Sequence, residues 1–322
     1  MKIYATNAGA PVHEATLTSD AGAVVNILSQ GAIVRDWRVP DRDGKARSVT
    51  LGFDDFGPYV ENRRSFGMIA GRVANRIRNA RFTLDGKTYQ LDPNEGPNQL
   101  HGGRRGIGRL PWTMEEADSR SVRLTLTSED GAMGYPGHVV FTALFTLDGH
   151  TLTFELTGVP DRPTPIALAQ HSYYRLGAPA EDHLVQVNAS HVTEVDEALI
   201  PTGRIIPVEG TPLDFRTPRR LGRTPVDSNF CLDERDPAVT LETEHYRLSL
   251  ATDRPGVQVY TSFNMPQFDA PGHDGVVYGP FCGIALEAQD YPDAVNHPDF
   301  GNVIATPDRP YRQKTSVTIM PR

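Results

Sequence analysis

An all-β fold of stacked antiparallel sheets is what the sequence predicts. Turn residues are abundant and spread over the whole chain, with 29 Gly and 26 Pro in 322 residues, as many strands joined by turns require. Residues 121–127, 139–147 and 151–158 alternate apolar and polar side chains and are parted by turn residues, which is the period of half-buried strands. No stretch holds the 3.6-residue period of a long helix, and no segment repeats at a fixed interval. With no low-complexity linker, one domain over residues 1–322 is expected. Many strands and few helices imply a sandwich with an extended concave face.

Taken in order, residues 16–38 read as two strands broken by a turn near 29–31, and 41–44 read as a turn. Residues 48–53 form a short strand, and 54–62 a short helix or loop. Residues 81–91 (RFTLDGKTYQL) are a hairpin closed at Asp85-Gly86, a pair suited to a two-residue turn. Residues 165–174 (PIALAQHSYY) read as a strand that places Ala167, Ala169, His171 and Tyr173 on one face. Strand patterns continue through 183–195, 246–251 and 256–261, and 314–320 closes the series.

Charge and composition narrow the function. The net charge is −8 with no basic block, which argues against nucleic acid and anionic membrane as partners. Residues 1–15 lack an apolar core and no run reaches membrane-spanning length. Cys231 and Cys282 make no metal or redox motif, so reduced thiols and a cytoplasmic location are expected. What remains is an enzyme or binding protein for small molecules, working as a monomer or weak dimer.

The chemistry concentrates in 281–296 (FCGIALEAQDYPDAVN). With period 2, Ile284, Leu286 and Ala288 share a core-like face, and Ala285, Glu287 and Gln289 share the other. A carboxylate buried there has a raised pKa unless it is paired. A proton acceptor and a salt-bridged residue at a sheet end both fit. His171 sits beside small alanines, which leave room for a ligand; a core histidine bonded to a backbone carbonyl is the commoner use of a lone His in such a place. His101 lies in NQLHGG, where glycines let the backbone come close to a ligand; a loop histidine beside a flexible turn fits equally. Asp227 (PVDSNF) suits an Asx turn as well as a site. Asn75 and Arg76 (GRVANR) and Gln258 (PGVQVY) could be ligand contacts or surface residues. There is no HxH or HExxH spacing, so no metal site is expected. GxSxG, GxGxxG and the P-loop are absent. One base, two histidines and several hydroxyl-binding side chains suit proton transfer on a polyol.

These segments resemble the aldose 1-epimerase (galactose mutarotase) family, in family order over nearly the whole chain. They are 39–42 (VPDR), 51–54 (LGFD), 66–77 (FGMIAGRVANRI), 98–103 (NQLHGG), 134–137 (GYPG), 170–176 (QHSYYRL), 201–216, 227–232 (DSNFCL), 255–261 (PGVQVYT) and 286–296 (LEAQDYPDAVN). The resemblance implies a galactose-mutarotase-like β-sandwich of twisted antiparallel sheets that needs no cofactor and binds a monosaccharide on its concave face. It implies Glu287 as the base that takes the C1 hydroxyl proton and His171 as the acid that protonates the ring oxygen. His101 and Asp227 would hold ring oxygens and hydroxyls, with Asn75, Arg76 and Gln258 as further sugar contacts. A histidine near its ordinary pKa of roughly 6.5 is expected to act as that acid.

The chain departs from the family pattern at Ser228, Ser262–Phe263, Gln170 and Ala288. None of these removes the implied acid or base. The first two lie where the sugar rim is shaped, so galactose, glucose, another hexose or a pentose all stay open. Two other functions use the same residues. A non-catalytic sugar-binding or regulatory protein would use the same face, and a glycoside-cleaving enzyme would use Glu287 with Asp227.

Overall fold

The computed structural model describes residues 1–322, apart from the side chains of residues 116 and 117. Strands form three principal sheets, and every strand pairing within them is antiparallel. The first holds Lys2–Asn7, Ala10–Thr18, Val24–Leu28, Ile33–Pro40 and Ala46–Ser48 in sequence order. The second has nine strands. Its centre is Val139–Asp148, Thr151–Pro160, Tyr311–Pro321 and Tyr246–Thr252, side by side in that order. The third has six strands, in the order Tyr173–Tyr174, Ile284–Gln289, Gly256–Tyr260, Asp227–Cys231, His191–Val195 and Pro201–Pro207.

One apolar core joins all three. Leu17, Val25 and Trp37 from the first sheet meet Phe141, Phe154 and Val317 from the second, and Phe230, Val257 and Leu286 from the third. The alternation explains this: each strand sends every second side chain inward. The third sheet therefore gives one face to the core and keeps the other for polar residues. The strand Ile284–Gln289 is buried on both faces.

The expected hairpin is present as Arg81–Leu84 and Lys87–Gln90. Asp85 and Gly86 have φ of 51° and 75°, the paired left-handed residues of a two-residue turn. The short helix is Gly57–Glu61.

Elsewhere the structure corrects the sequence reading. The strand expected from residue 16 stops at Thr18 and resumes at Val24, because Ser19–Ala23 closes a turn through Ser19 N–H to Ala23 O at 3.0 Å. Of residues 48–53, only Ser48 is in a strand. Residues 165–174 are no single strand. Ala169–Gln170 pairs with Ile69–Ala70, Tyr173–Tyr174 pairs with Ala285 and Ile284, and His171 and Ser172 lie between the two sheets. His171 is pinned there by its own N–H to Met68 O at 2.9 Å, while its carbonyl accepts from Gly67 N–H at 3.0 Å. It reaches the site from a crossing point and not from a strand face.

Candidate active site

Glu287 lies on the polar face of the third sheet, opposite Gln258 on the neighbouring strand, which is itself opposite Asn229. The carboxylate is 3% exposed, with Oε1 at 3.4 Å from His171 Nε2. Its second oxygen, Oε2, has no hydrogen-bond partner among the described residues. The two residues share a cavity of about 190 Å³, walled also by Asn75, Arg76, His101, Asp227, Glu95, Tyr173 and Tyr260.

The loop carrying His101 is built by backbone strain. Asn75 and His101 both adopt left-handed φ, 59° and 51°, where residues other than glycine are uncommon. They face each other across the short pair Arg76–Ile77 and Gln99–Leu100. His101 N–H donates to Asn75 O at 3.0 Å, and Asn75 N–H donates to His101 Nδ1 at 3.1 Å. A ring nitrogen that accepts a backbone N–H carries no proton, so the proton of neutral His101 sits on Nε2. Burial, reinforced by the charges of His171 and Arg76, holds the His101 pKa well below its ordinary value and keeps that state. His101 is thus a fixed N–H donor beside the Glu287–His171 pair.

Gly102 owes its identity to the protein and not to a ligand. Its φ is 82°, and a Cβ there would lie 1.9 Å from Gly71 O. The close approach expected of NQLHGG is therefore backbone against backbone. Gly102→Ala is expected to cost at least about 1–3 kcal/mol of stability by overpacking and to displace His101. Thermal denaturation checks this, and an unshifted midpoint would contradict it.

Arg76 is held by Glu95 through two bonds, Nε–Oε2 at 2.6 Å and Nη2–Oε1 at 2.9 Å. Its backbone N–H is bonded by Asn75 Oδ1 at 2.9 Å. Gln258 donates to Asp227 Oδ1 at 2.6 Å, so it orients Asp227 from behind. It is the one residue of the expected seven that does not wall the cavity. Glu95, Tyr260 and Asn264 wall it without having been singled out, and Tyr173, read only as a face-mate of His171, walls it too. Tyr260 could have been found, since it shares a strand face with Gln258. Glu95 could not, because it lies in a loop and its role is set by an arginine 19 positions away.

Glu287 has the raised pKa expected of a buried carboxylate, while His171 departs from expectation. Burial pushes Glu287 up to about 8, with the Asp227 charge adding to it and Arg76 opposing. Burial also brings His171 down to about 4, outweighing a hydrogen bond to its own backbone. A histidine near 6.5 is thus not what the site contains. Each side chain disfavours its charged form because the site withholds water. Asp227 is raised too, mainly by burial, with Arg76 and Gln258 pulling the other way.

His101, His171 and Glu287 bring their ligand atoms within 4.8 Å of one another. The set does not fit a resident metal ion. His101 offers its lone pair on Nδ1 to the Asn75 amide and carries its proton on Nε2, so neither nitrogen is free to coordinate.

A family model described as aldose 1-epimerase matches residues 13–318. The chain belongs to the aldose 1-epimerase family. Galactose mutarotase of Rattus norvegicus is 40% identical over 323 residues, covering 95% of this chain and 94% of that protein. Aldose 1-epimerase of Escherichia coli is 31% identical, covering 91% and 90%. The crystal structure of an aldose epimerase homologue from C. elegans superposes with a TM-score of 0.91 at 28% identity, over 96% of this chain and 99% of that one. This aldose 1-epimerase family member therefore has the all-β sandwich that its sequence predicts. Among its described residues, no helix is long and apolar enough to cross a membrane.

Proposed function

We propose that this protein interconverts the α and β anomers of a free aldose, with Glu287 and His171 as the proton-transfer pair. The observation that carries the reading is their 3.4 Å contact, buried in a polar cavity, in a chain 40% identical to a galactose mutarotase.

The pair works with one exchangeable proton. In the empty site, between about pH 4 and pH 8, Glu287 is protonated and His171 neutral. Shifting that proton across the contact gives carboxylate and imidazolium without changing the net charge. A bound sugar favours this second arrangement. Its C1 hydroxyl donates to the carboxylate, and its ring oxygen accepts from His171 Nε2–H. Glu287 then takes the O1 proton as the C1–O5 bond breaks, and His171 delivers its proton to O5. The open chain carries an aldehyde at C1. Rotation about C1–C2 presents the other face, and the two residues reverse roles as the ring closes. His101 Nε2–H and Arg76 donate to sugar oxygens, and Asp227, aimed by Gln258, accepts from hydroxyls. Mutarotation proceeds slowly in water, so holding acid and base in line is the main task. The free, buried thiols of Cys231 and Cys282 fit a reducing compartment such as the cytoplasm.

The direct test is NMR exchange or polarimetry on fresh α-D-galactose, α-D-glucose, xylose and arabinose. Faster anomer exchange than in buffer alone is expected for at least one sugar, and tight binding without acceleration would mean a sugar-binding protein. The pH profile of kcat/KM reports the free enzyme. A plateau from about pH 4 to pH 8 is expected. Above it the pair loses its only proton and the rate falls about tenfold per unit, and below it the pair gains a second proton with the same result. A profile centred on 6.5 would contradict the one-proton pair.

A further inference from the structure

We propose that the preferred substrates are aldoses bearing an anionic group away from C1, a carboxylate or a phosphate, received by an arginine-lined groove that continues from the catalytic cavity. The proposal rests on the anomer-exchange reading and names the substrate class of that same site.

The cavity of about 190 Å³ suits a single sugar ring. It does not end at that ring. Arg63, Arg64, Glu95 and Leu100 are shared walls with a neighbouring groove of about 990 Å³. That groove adds Arg104, Arg105 and Arg109. Five arginines on one depression are unexpected in a chain of net charge −8.

Their partners show which charges are already neutralised. The two carboxylates in the groove wall are both taken: Glu61 pairs with Arg63 at 2.5 Å, and Glu95 holds Arg76 through two bonds. Arg104 Nη1 donates to Pro93 O at 3.0 Å, and Arg109 Nη1 donates to the carbonyls of Glu61 and Asn62. These are carbonyl contacts and make no ion pair; the Glu61 charge reaches Arg109 but is already shared with Arg63. Among the described residues, the guanidinium groups of Arg64, Arg104, Arg105 and Arg109 form no ion pair with a carboxylate; the one carboxylate bonded to this stretch, Asp92, takes the backbone N–H of Arg104 at 3.1 Å. Arg64 stands at the junction. Its carbonyl is bonded by the hydroxyl of Tyr173, a cavity residue, at 2.8 Å.

A neutral sugar would leave these cations to water. An anionic substituent projecting from the ring into the groove would meet guanidinium groups, whose planar forks match carboxylate and phosphate oxygens. A concave cationic surface would also raise the local concentration of such a substrate. The catalytic end is unaffected, because the anion sits away from C1 and needs no part in the proton transfer.

The test measures kcat/KM for anomer exchange by NMR on D-galactose, D-galacturonate and D-galactose 6-phosphate, at low and high salt. At least tenfold preference for one anionic sugar over galactose is expected, shrinking as salt rises. Which of the two anions is preferred tells carboxylate from phosphate. Arg64→Gln and Arg105→Gln, each verified as folded by thermal denaturation, are expected to lower the anionic-to-neutral ratio at least fivefold. Galactose exchange without any anionic preference, or a preference that both variants leave intact, overturns the proposal while the anomer-exchange reading stands. Failure to accelerate any of the three sugars, or the neutral panel above, overturns both.

Discussion

Glu287→Gln is expected to slow catalysed anomer exchange by about 10²–10⁴-fold, the usual contribution of a positioned acid–base group. Glutamine keeps the size and hydrogen-bonding shape of the side chain but cannot take the O1 proton. The loss should therefore fall on kcat, with KM little changed. A second readout guards against misfolding. Burial raises the Glu287 pKa from 4.5 to about 8 in the folded protein. Between those values the folded state keeps a proton that the unfolded chain has lost. Stability is thus full below about pH 4.5 and declines as pH rises toward 8, with a limiting slope of roughly 1.4 kcal/mol per pH unit. The glutamine variant lacks this decline and should melt above the wild type at pH 8. Unchanged exchange kinetics, measured on a variant with that raised melting point, would remove Glu287 from the chemistry.

His171→Asn is expected to cost a similar factor, about 10²–10⁴ in kcat, because the ring oxygen loses its proton donor. The double variant should cost little more than either single change, since half of a proton-transfer pair cannot work alone. The pH dependence separates the two. His171 is held at about 4 against 6.5, so its contribution to stability is full above about pH 6.5 and is lost as pH falls toward 4. His171→Asn should flatten that acid limb and leave the alkaline one. Double-variant losses that multiply would mean that the two residues serve separate steps.

Much of this was visible in the chain itself. Strands such as Val139–Asp148 and Thr151–Pro160 are long and half-buried, so their period survives in the sequence. Lys2–Asn7 is largely exposed, and an edge strand with little to bury carries no such period. His171 has a different reason for being misplaced: its position is set by backbone bonds to Met68 and Gly67, more than a hundred residues earlier. Glu287 was legible as a carboxylate in an apolar run. The upward direction of its pKa was legible as well, but not its extent, because the completeness of its burial and the distance to Asp227 exist only in three dimensions. The glycines after His101 were read as allowing a close approach, but the group approached, Gly71 O at Gly102, could not be read from their neighbours.

The placement of Tyr311–Pro321 has a consequence for how the protein is made. This strand sits in the middle of the nine-stranded sheet, between Thr151–Pro160 and Tyr246–Thr252, yet it leaves the ribosome after every other strand of that sheet. Until it arrives, the two halves have no ladder between them, and both inner edges offer unpaired N–H and C=O groups. The sheet therefore cannot be finished piece by piece during synthesis. Its closing step brings together strands separated by nearly half of the chain, from Pro160 to Tyr311, which makes folding slow and the waiting nascent chain a natural client of chaperones.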